Sequence, residues 1–255
     1  MSPFVLYEFP HSHYCEVARW ALEYKSIDYV SRPLVPGFHA IQMRRLAGAT
    51  SVPVLQTGNE TIQGSQAIID FLETRFPGPS LKASADNETL ARFEAQVSEL
   101  IGEPVRRLCY YHLLPHPQLV RFCFMHRSGL FDRLRFRLVY PLLAPRLTRA
   151  YDCTQSGAER AQDTISRALD EYDRRLEDRE WFFDDRFTRA DLTFAALGAF
   201  MAMPAKYPVE WPQAFESLPV TEWFRGLSSR RSYKHIIRSY DKHRPGATGA
   251  IGQQF

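Results

Sequence analysis

Apolar and polar positions follow two different rhythms along this chain, and the change of rhythm divides it. Up to about residue 78, short apolar runs alternate with helical patterns. Phe4-Val5-Leu6-Tyr7 reads as a buried strand, and Val17, Ala21 and Tyr24 are spaced for one face of a helix. Tyr29-Val30-Ser31 reads as a second strand, closed by Pro33, and Phe38, Ile41 and Leu46 suggest a short irregular helix. Val54-Leu55 and Thr61-Ile62 read as short strands around the turn Thr57-Gly58-Asn59-Glu60. Ala67, Ile68, Phe71 and Leu72 mark a helix stopped by Pro77-Gly78-Pro79. The expected order is β-α-β-α-β-β-α.

Beyond the polar segment Lys82 to Asn87 the pattern is helical only. Helices are expected over 88–126, 130–150, 158–179, 189–203 and 221–240, with Pro104, Pro115 and Pro117 interrupting the first. The stretch from Pro245 to Phe255 has three glycines and little to bury, which predicts a mobile tail. The reading is therefore an α/β domain over 1–80, an all-helical domain over 88–244 and a tail over 245–255.

Composition changes this picture only at a few points. Apolar residues make up 45% and charged residues 24%, as in soluble globular proteins. No run approaches the ~20 apolar residues that cross a bilayer, and Met1-Ser2-Pro3 leads into a strand without a basic leader. A cytoplasmic protein with no membrane partner is expected. A net charge of +3 is too small to argue for a nucleic-acid partner. Its distribution is uneven: seven arginines and one acid, Asp132, lie between Arg121 and Arg149, either as a solvated face or as a positive rim for anionic ligands. The cysteines at 15, 109, 123 and 153 show no paired metal spacing and read as free thiols, with Cys109 and Cys123 as small buried hydrophobes.

The candidate chemistry begins where the first strand passes to the first helix. Ser12 falls at that junction, where free N–H groups and the helix dipole stabilise an anion such as a thiolate. Ser12-x-x-Cys15 is a redox-type spacing with its first sulfur replaced by oxygen. Cys15 is either a reactive thiol or a residue buried against the sheet. His11 and His13 flank Ser12; they either assist deprotonation or stand in solvent. His11, His13 and Cys15 alternate, but no fourth ligand accompanies them and no metal is expected. Val52-Pro53 either opens a strand as an ordinary trans proline or, as a cis bond, turns the Val52 backbone outward to pair with an extended peptide. Ser65 precedes an apolar helix as an N-cap, alone or with a carboxylate bound to its hydroxyl and to the N–H groups of Gln66 and Ala67. Thr188 and Asp191 form a capping box and are structural.

Four stretches together resemble the soluble glutathione transferase superfamily, in its serine- and cysteine-type members. They are Ser12-His13-Tyr14-Cys15 with Arg19-Trp20-Ala21-Leu22, Ser51-Val52-Pro53-Val54-Leu55, Gly64-Ser65-Gln66-Ala67-Ile68 and Phe187-Thr188-Arg189-Ala190-Asp191-Leu192. The resemblance implies a thioredoxin-like N-terminal domain followed by a helical-bundle C-terminal domain. It implies that Ser12 hydrogen-bonds the glutathione sulfur and that Val52, at the cis Pro53, pairs with the cysteinyl part. Ser65, with Gly64 and Gln66, would hold the γ-glutamyl carboxylate, and His11, His13 and Tyr14 would stand near enough to assist. The implied activity is conjugation of glutathione to small apolar electrophiles in detoxification, by a cytoplasmic homodimer. The alternatives are a glutathione-dependent thiol–disulfide or peroxide reductase using Cys15, and a non-enzymatic ligand carrier. Two departures stand out: Gly64 replaces an acidic or amide residue, so that contact is either missing or supplied by Gln63, and His13 replaces a proline.

Overall fold

The computed structural model describes residues 4–125 and 128–246. The tail expected to be mobile therefore lies, past Gly246, outside the described residues. The N-terminal half-pattern folds as anticipated, in the order β1 (Phe4–Glu8), α1 (His13–Tyr24), β2 (Tyr29–Pro33), α2 (His39–Ala47), β3 (Val54–Gln56), β4 (Thr61–Gln63) and α3 (Ser65–Arg75). The sheet runs β2-β1-β3-β4; β1 pairs parallel with β2, and β3 pairs antiparallel with both β1 and β4.

β1 is central because its side chains are apolar on both faces. Leu6 stands opposite Leu55 and joins the core under α1 and α3, while Tyr7 stands opposite Val54 and packs with Met43 of α2. The period of two sends successive residues to opposite sides of the sheet. The inward face of α2 differs from expectation. Met43 is fully buried, whereas Phe38 and Ile41 are 49% and 62% exposed.

The rest is helical: α4 (Asn87–Val97), α5 (Glu103–Leu113), α6 (Pro117–Met125), α7 (Leu130–Ala150), α8 (Gln155–Arg175), α9 (Arg189–Ala202), α10 (Pro219–Arg225) and α11 (Arg231–His243). The 88–126 stretch, expected to be interrupted at its prolines, is three helices. A wide π-type turn, Ser98–Gly102, separates α4 from α5, and Pro117 starts α6 after a break. The expected 221–240 helix is two, parted around Gly226–Arg230.

α9 is the axis, with every residue buried, and it packs against α1, α4, α5 and α11. The Thr188 N–H donates to Asp191 Oδ2 at 2.9 Å, completing the capping box. Phe187 stacks on Trp20 of α1 and on His243, joining the helical part to the sheet layer. The connecting segment is tied down on both sides. Leu81 is fully buried, its carbonyl accepts from the Arg189 N–H at 2.8 Å, and Lys25 donates to the Phe76 and Pro79 carbonyls at 2.6 and 3.0 Å.

Candidate active site

Ser12 caps α1. Its N–H donates to the Phe9 carbonyl at 3.0 Å, and its hydroxyl oxygen accepts from the Cys15 N–H at 3.3 Å. Arg19, two turns along and 2% exposed, holds the preceding turn from behind. It donates to the Pro10 carbonyl and to Glu16 at 2.9 Å each and pairs with Glu8. A planar guanidinium satisfied by two carboxylates and a carbonyl fixes the angle at which the turn meets the helix. Ser12 stays half-exposed, at the floor of a cavity of about 250 Å³.

That cavity lies between the sheet-bearing part and the helices. Ser12, Tyr14 and Val52 line one side; Arg106 and Tyr110 of α5, Phe124 of α6, Tyr151 and Phe200 of α9 line the other. The Arg106 guanidinium lies 5.4 Å from the Tyr14 ring centre and 4.4 Å from that of Tyr151, held by cation–π attraction. The Tyr14 hydroxyl shares a hydrogen bond with Ser98 at 2.9 Å.

Neither histidine beside Ser12 is a solvated loop residue. His11 is buried, with Nδ1 2.8 Å from the Cys123 carbonyl and Nε2 3.0 Å from the Glu210 carbonyl, so it ties the turn to α6 and to the segment before α10. His13 is buried against Tyr14 and Phe200, and its Nε2 has no partner among the described residues. Burial, and then the nearby Arg106 charge, push its pKa down to about 3. A neutral imidazole of that basicity is a poor proton acceptor, which removes the physical basis for a deprotonating role. Cys15 does not line the cavity and is wholly buried. Desolvation, aided by the Glu8 charge, pushes its thiol up to about 12.

The second loop approaches from the sheet edge. The Val52–Pro53 peptide is cis. Gln63 donates to the Ala49 and Ser51 carbonyls at 3.2 and 2.7 Å, so its amide braces the loop in front of Val52. The Gly64 N–H donates to the Pro53 carbonyl at 2.9 Å, with φ of +99°, a conformation that favours glycine. Gly64, rather than Ser65, is the N-cap of α3. Ser65 is its first residue, buried, with its hydroxyl donating to Gln66 Oε1 at 2.8 Å.

The cavity thus brings together Ser12, His11, His13, Tyr14 and Val52. Cys15, Pro53, Gly64, Ser65 and Gln66 do not line it. Gln66 faces a separate cleft of about 790 Å³ between α3 and α4. His39, Thr50, Tyr151 and Phe200 line the cavity without any sequence signal, because their neighbours there are remote in the chain. Arg106, Tyr110 and Phe124 carry only generic helical spacing. Among the described residues no three His, Cys, Asp or Glu side chains cluster in a way that holds a metal ion.

Two family profiles match the chain: the N-terminal domain of glutathione S-transferase over residues 6–80 and the C-terminal domain of glutathione S-transferase over residues 155–226. A search of curated proteins gives no match. Among solved structures the chain is similar to a glutathione S-transferase from Rhodospirillum rubrum F11, at 20% identity and TM-score 0.57, covering 96% of each chain. It is similar to a glutathione S-transferase from Methylobacterium radiotolerans in complex with glutathione sulfonate, at 18% identity and TM-score 0.53, covering 100% of each. It is also similar to the theta-class enzyme from Xanthomonas axonopodis pv. citri with glutathione bound, at 18% identity and TM-score 0.55, covering 93% of this chain and 98% of that one. At these identities the structural likeness is one of fold.

Proposed function

The chain belongs to the glutathione S-transferase family, and on that premise we propose that it conjugates the glutathione thiolate to small apolar electrophiles. In this reading residues 1–80 hold the tripeptide, residues 88–244 close the cavity, and the molecule works as a cytoplasmic homodimer in detoxification.

The observation that carries the reading is the cavity itself, which sets one hydroxyl at a helix N-terminus opposite an aromatic wall. A hydroxyl has one proton to give and two lone pairs to receive with. The Cys15 N–H occupies one lone pair of Ser12, so the proton is available to a sulfur in the cavity. A donor at the positive end of α1 favours the thiolate over the thiol and lowers the glutathione pKa. Val52 pairs its backbone with the cysteinyl part, and Ser65, beyond the cavity lining, takes the γ-glutamyl carboxylate with the N–H groups opening α3, its hydroxyl turning from Gln66 Oε1 to do so. The sulfur then attacks the electrophilic carbon: an S–C bond forms and the leaving group departs with its electron pair. Tyr110, Phe124, Tyr151 and Phe200 hold the apolar body of that substrate.

Two structural neighbours hold glutathione or its sulfonate, which supports glutathione as the co-substrate. A reductase working through Cys15 needs that sulfur as an exposed thiolate, and its burial and high pKa favour the hydroxyl instead. The test is conjugation of glutathione to 1-chloro-2,4-dinitrobenzene, followed by absorbance. Ser12→Ala is expected to lower kcat/KM roughly 10²-fold or more, and Cys15→Ser to leave it within a few-fold. The reverse pattern assigns the chemistry to Cys15. Calorimetric binding of glutathione without turnover makes the protein a carrier.

A further inference from the structure

One helix carries most of the large apolar surface that the described residues leave in solvent. On α7, Leu130 and Phe131 are each 82% exposed, Leu134 56%, Leu138 71% and Leu142 63%. At 3.6 residues per turn, Leu134, Leu138 and Leu142 recur on one face with Phe131 among them. Arg133 and Arg137 run along one flank of this stripe, and Arg135 and Arg146 along the other. The opposite face is already anchored: Phe136 is buried, and the Tyr140 hydroxyl donates to the Leu114 carbonyl at 2.5 Å. The exposed stripe is therefore surplus to the core.

Two neighbouring features extend it. A Cβ on Gly37 would lie 3.4 Å from Val139 Cγ1, so the chain abuts α7 just before exposed Phe38 and the start of α2, where Ile41 is also exposed. Between α6 and α7 runs a groove of about 570 Å³ with Arg121, Arg133 and Arg137 over a floor that includes Met125, Leu130 and Leu134. Arg121 and Arg137 pair with no carboxylate among the described residues, and Asp132 is the sole acid on α7.

We propose that the outer face of α7, with this groove, is a docking surface for an anionic phospholipid bilayer. Guanidinium groups beside an apolar stripe match the two layers of such a surface: phosphate and carboxylate headgroups meet the arginines while the leucines enter the acyl boundary. No helix among the described residues is long and apolar enough to cross a membrane, so the helix lies in the interface plane. Absence of a spanning run led to the expectation of no membrane partner, and an in-plane helix falls outside that reasoning. A second copy fits less well, because a two-fold contact brings the same arginines together with only Asp132 to offset them.

Co-sedimentation of the full chain with vesicles tests this. The probes are phosphatidylcholine alone and phosphatidylcholine with about a third phosphatidylserine. Pelleting is expected with the anionic vesicles only, falling as salt rises. Arg121→Gln/Arg137→Gln is expected to lower the partition coefficient about 25-fold, at about fivefold per arginine. Leu134→Gln/Leu138→Gln is expected to lower it about tenfold or more. Arg174→Gln/Arg225→Gln, which removes equal charge from exposed sites elsewhere, is expected to leave it within about twofold. Circular dichroism verifies that each variant is folded. Equal pelleting with both vesicles, no pelleting, an unaffected leucine variant, or equal loss in the remote arginine variant overturns the proposal. So does light scattering that shows self-association abolished by the leucine substitutions, which makes the occupant a second copy.

Discussion

Gly102 is where the wide turn before α5 meets the cavity wall, and substitution there gives a quantitative test of how the site is built. A Cβ at Gly102 would stand 2.7 Å from the Tyr14 hydroxyl oxygen and 3.2 Å from Leu197 Cδ1. Gly102→Ala therefore displaces Tyr14 toward the cavity and breaks its 2.9 Å bond to Ser98. The lost hydrogen bond costs about 1 kcal/mol and the crowding about 1–3 kcal/mol. The helical preference of Ala over Gly returns up to about 1 kcal/mol. A net destabilisation of about 1–4 kcal/mol lowers Tm by roughly 2–16 °C for a chain of this length. Tyr14→Phe alone loses the Ser98 bond, about 1 kcal/mol. In the double variant the oxygen responsible for the closest contact is gone, so the total falls short of the sum by about 1–2 kcal/mol. Thermal and urea unfolding of the four proteins measure this coupling. Additivity to within about 0.5 kcal/mol would refute the argument, because it would mean that Gly102 and Tyr14 do not share the space between α1 and α5.

Three further outcomes follow from the buried groups. Unfolded His13 titrates near 6.5 and folded His13 at about 3, so between those values the unfolded chain holds the extra proton. Stability rises with pH across that window and is lost on acidification, by an amount on the order of 3–5 kcal/mol for this group; His13→Gln should flatten the urea-midpoint profile between pH 7 and 4. All four cysteines are under 8% exposed, and desolvation raises the pKa of each. An aromatic disulfide reagent should therefore label the folded chain only at the rate of unfolding, and rapid stoichiometric labelling of one thiol would contradict this placement. Arg244, buried at the end of α11, donates to Glu16 at 2.7 Å and pairs with Glu23. Arg244→Gln is expected to cost about 3–5 kcal/mol by leaving Glu23 without its cation and Glu16 with Arg19 alone among the described residues, read as a drop in urea midpoint.

Much of the fold was legible because its signals are local. The order of strands and helices followed from apolar spacing and from Pro and Gly punctuation, and the Thr188–Asp191 box from residues three apart. The mouth of α1 was legible for the same reason: a serine between a strand and a helix caps the helix. Misreadings arose where two local rules competed. Ser65 satisfied the composition of a cap, but Gly64, free to take a φ of +99°, took the position and moved the serine into the first turn. The interruption of the 88–126 stretch was legible from its prolines, since α5 opens at Glu103–Pro104 and α6 at Pro117, but the π-type turn Ser98–Gly102 was not, because π-turn and α-helix place apolar residues at similar intervals. The bond before Pro53 was left open by sequence, and the structure settles it as cis.

The histidines show the limit most clearly. Nothing near His11 in sequence indicates that its ring reaches the carbonyls of Cys123 and Glu210, or that Arg106 stands close enough to disfavour a proton on His13. The chain alone determined which segments are strand or helix and where α1 offers its free N–H groups, since a turn of backbone and its cap span only a few residues. Tertiary structure decided which of the reactive-looking side chains meet water. Burial, dielectric and charge at a site are set by elements a hundred residues apart, and those come together only when the apolar faces pack.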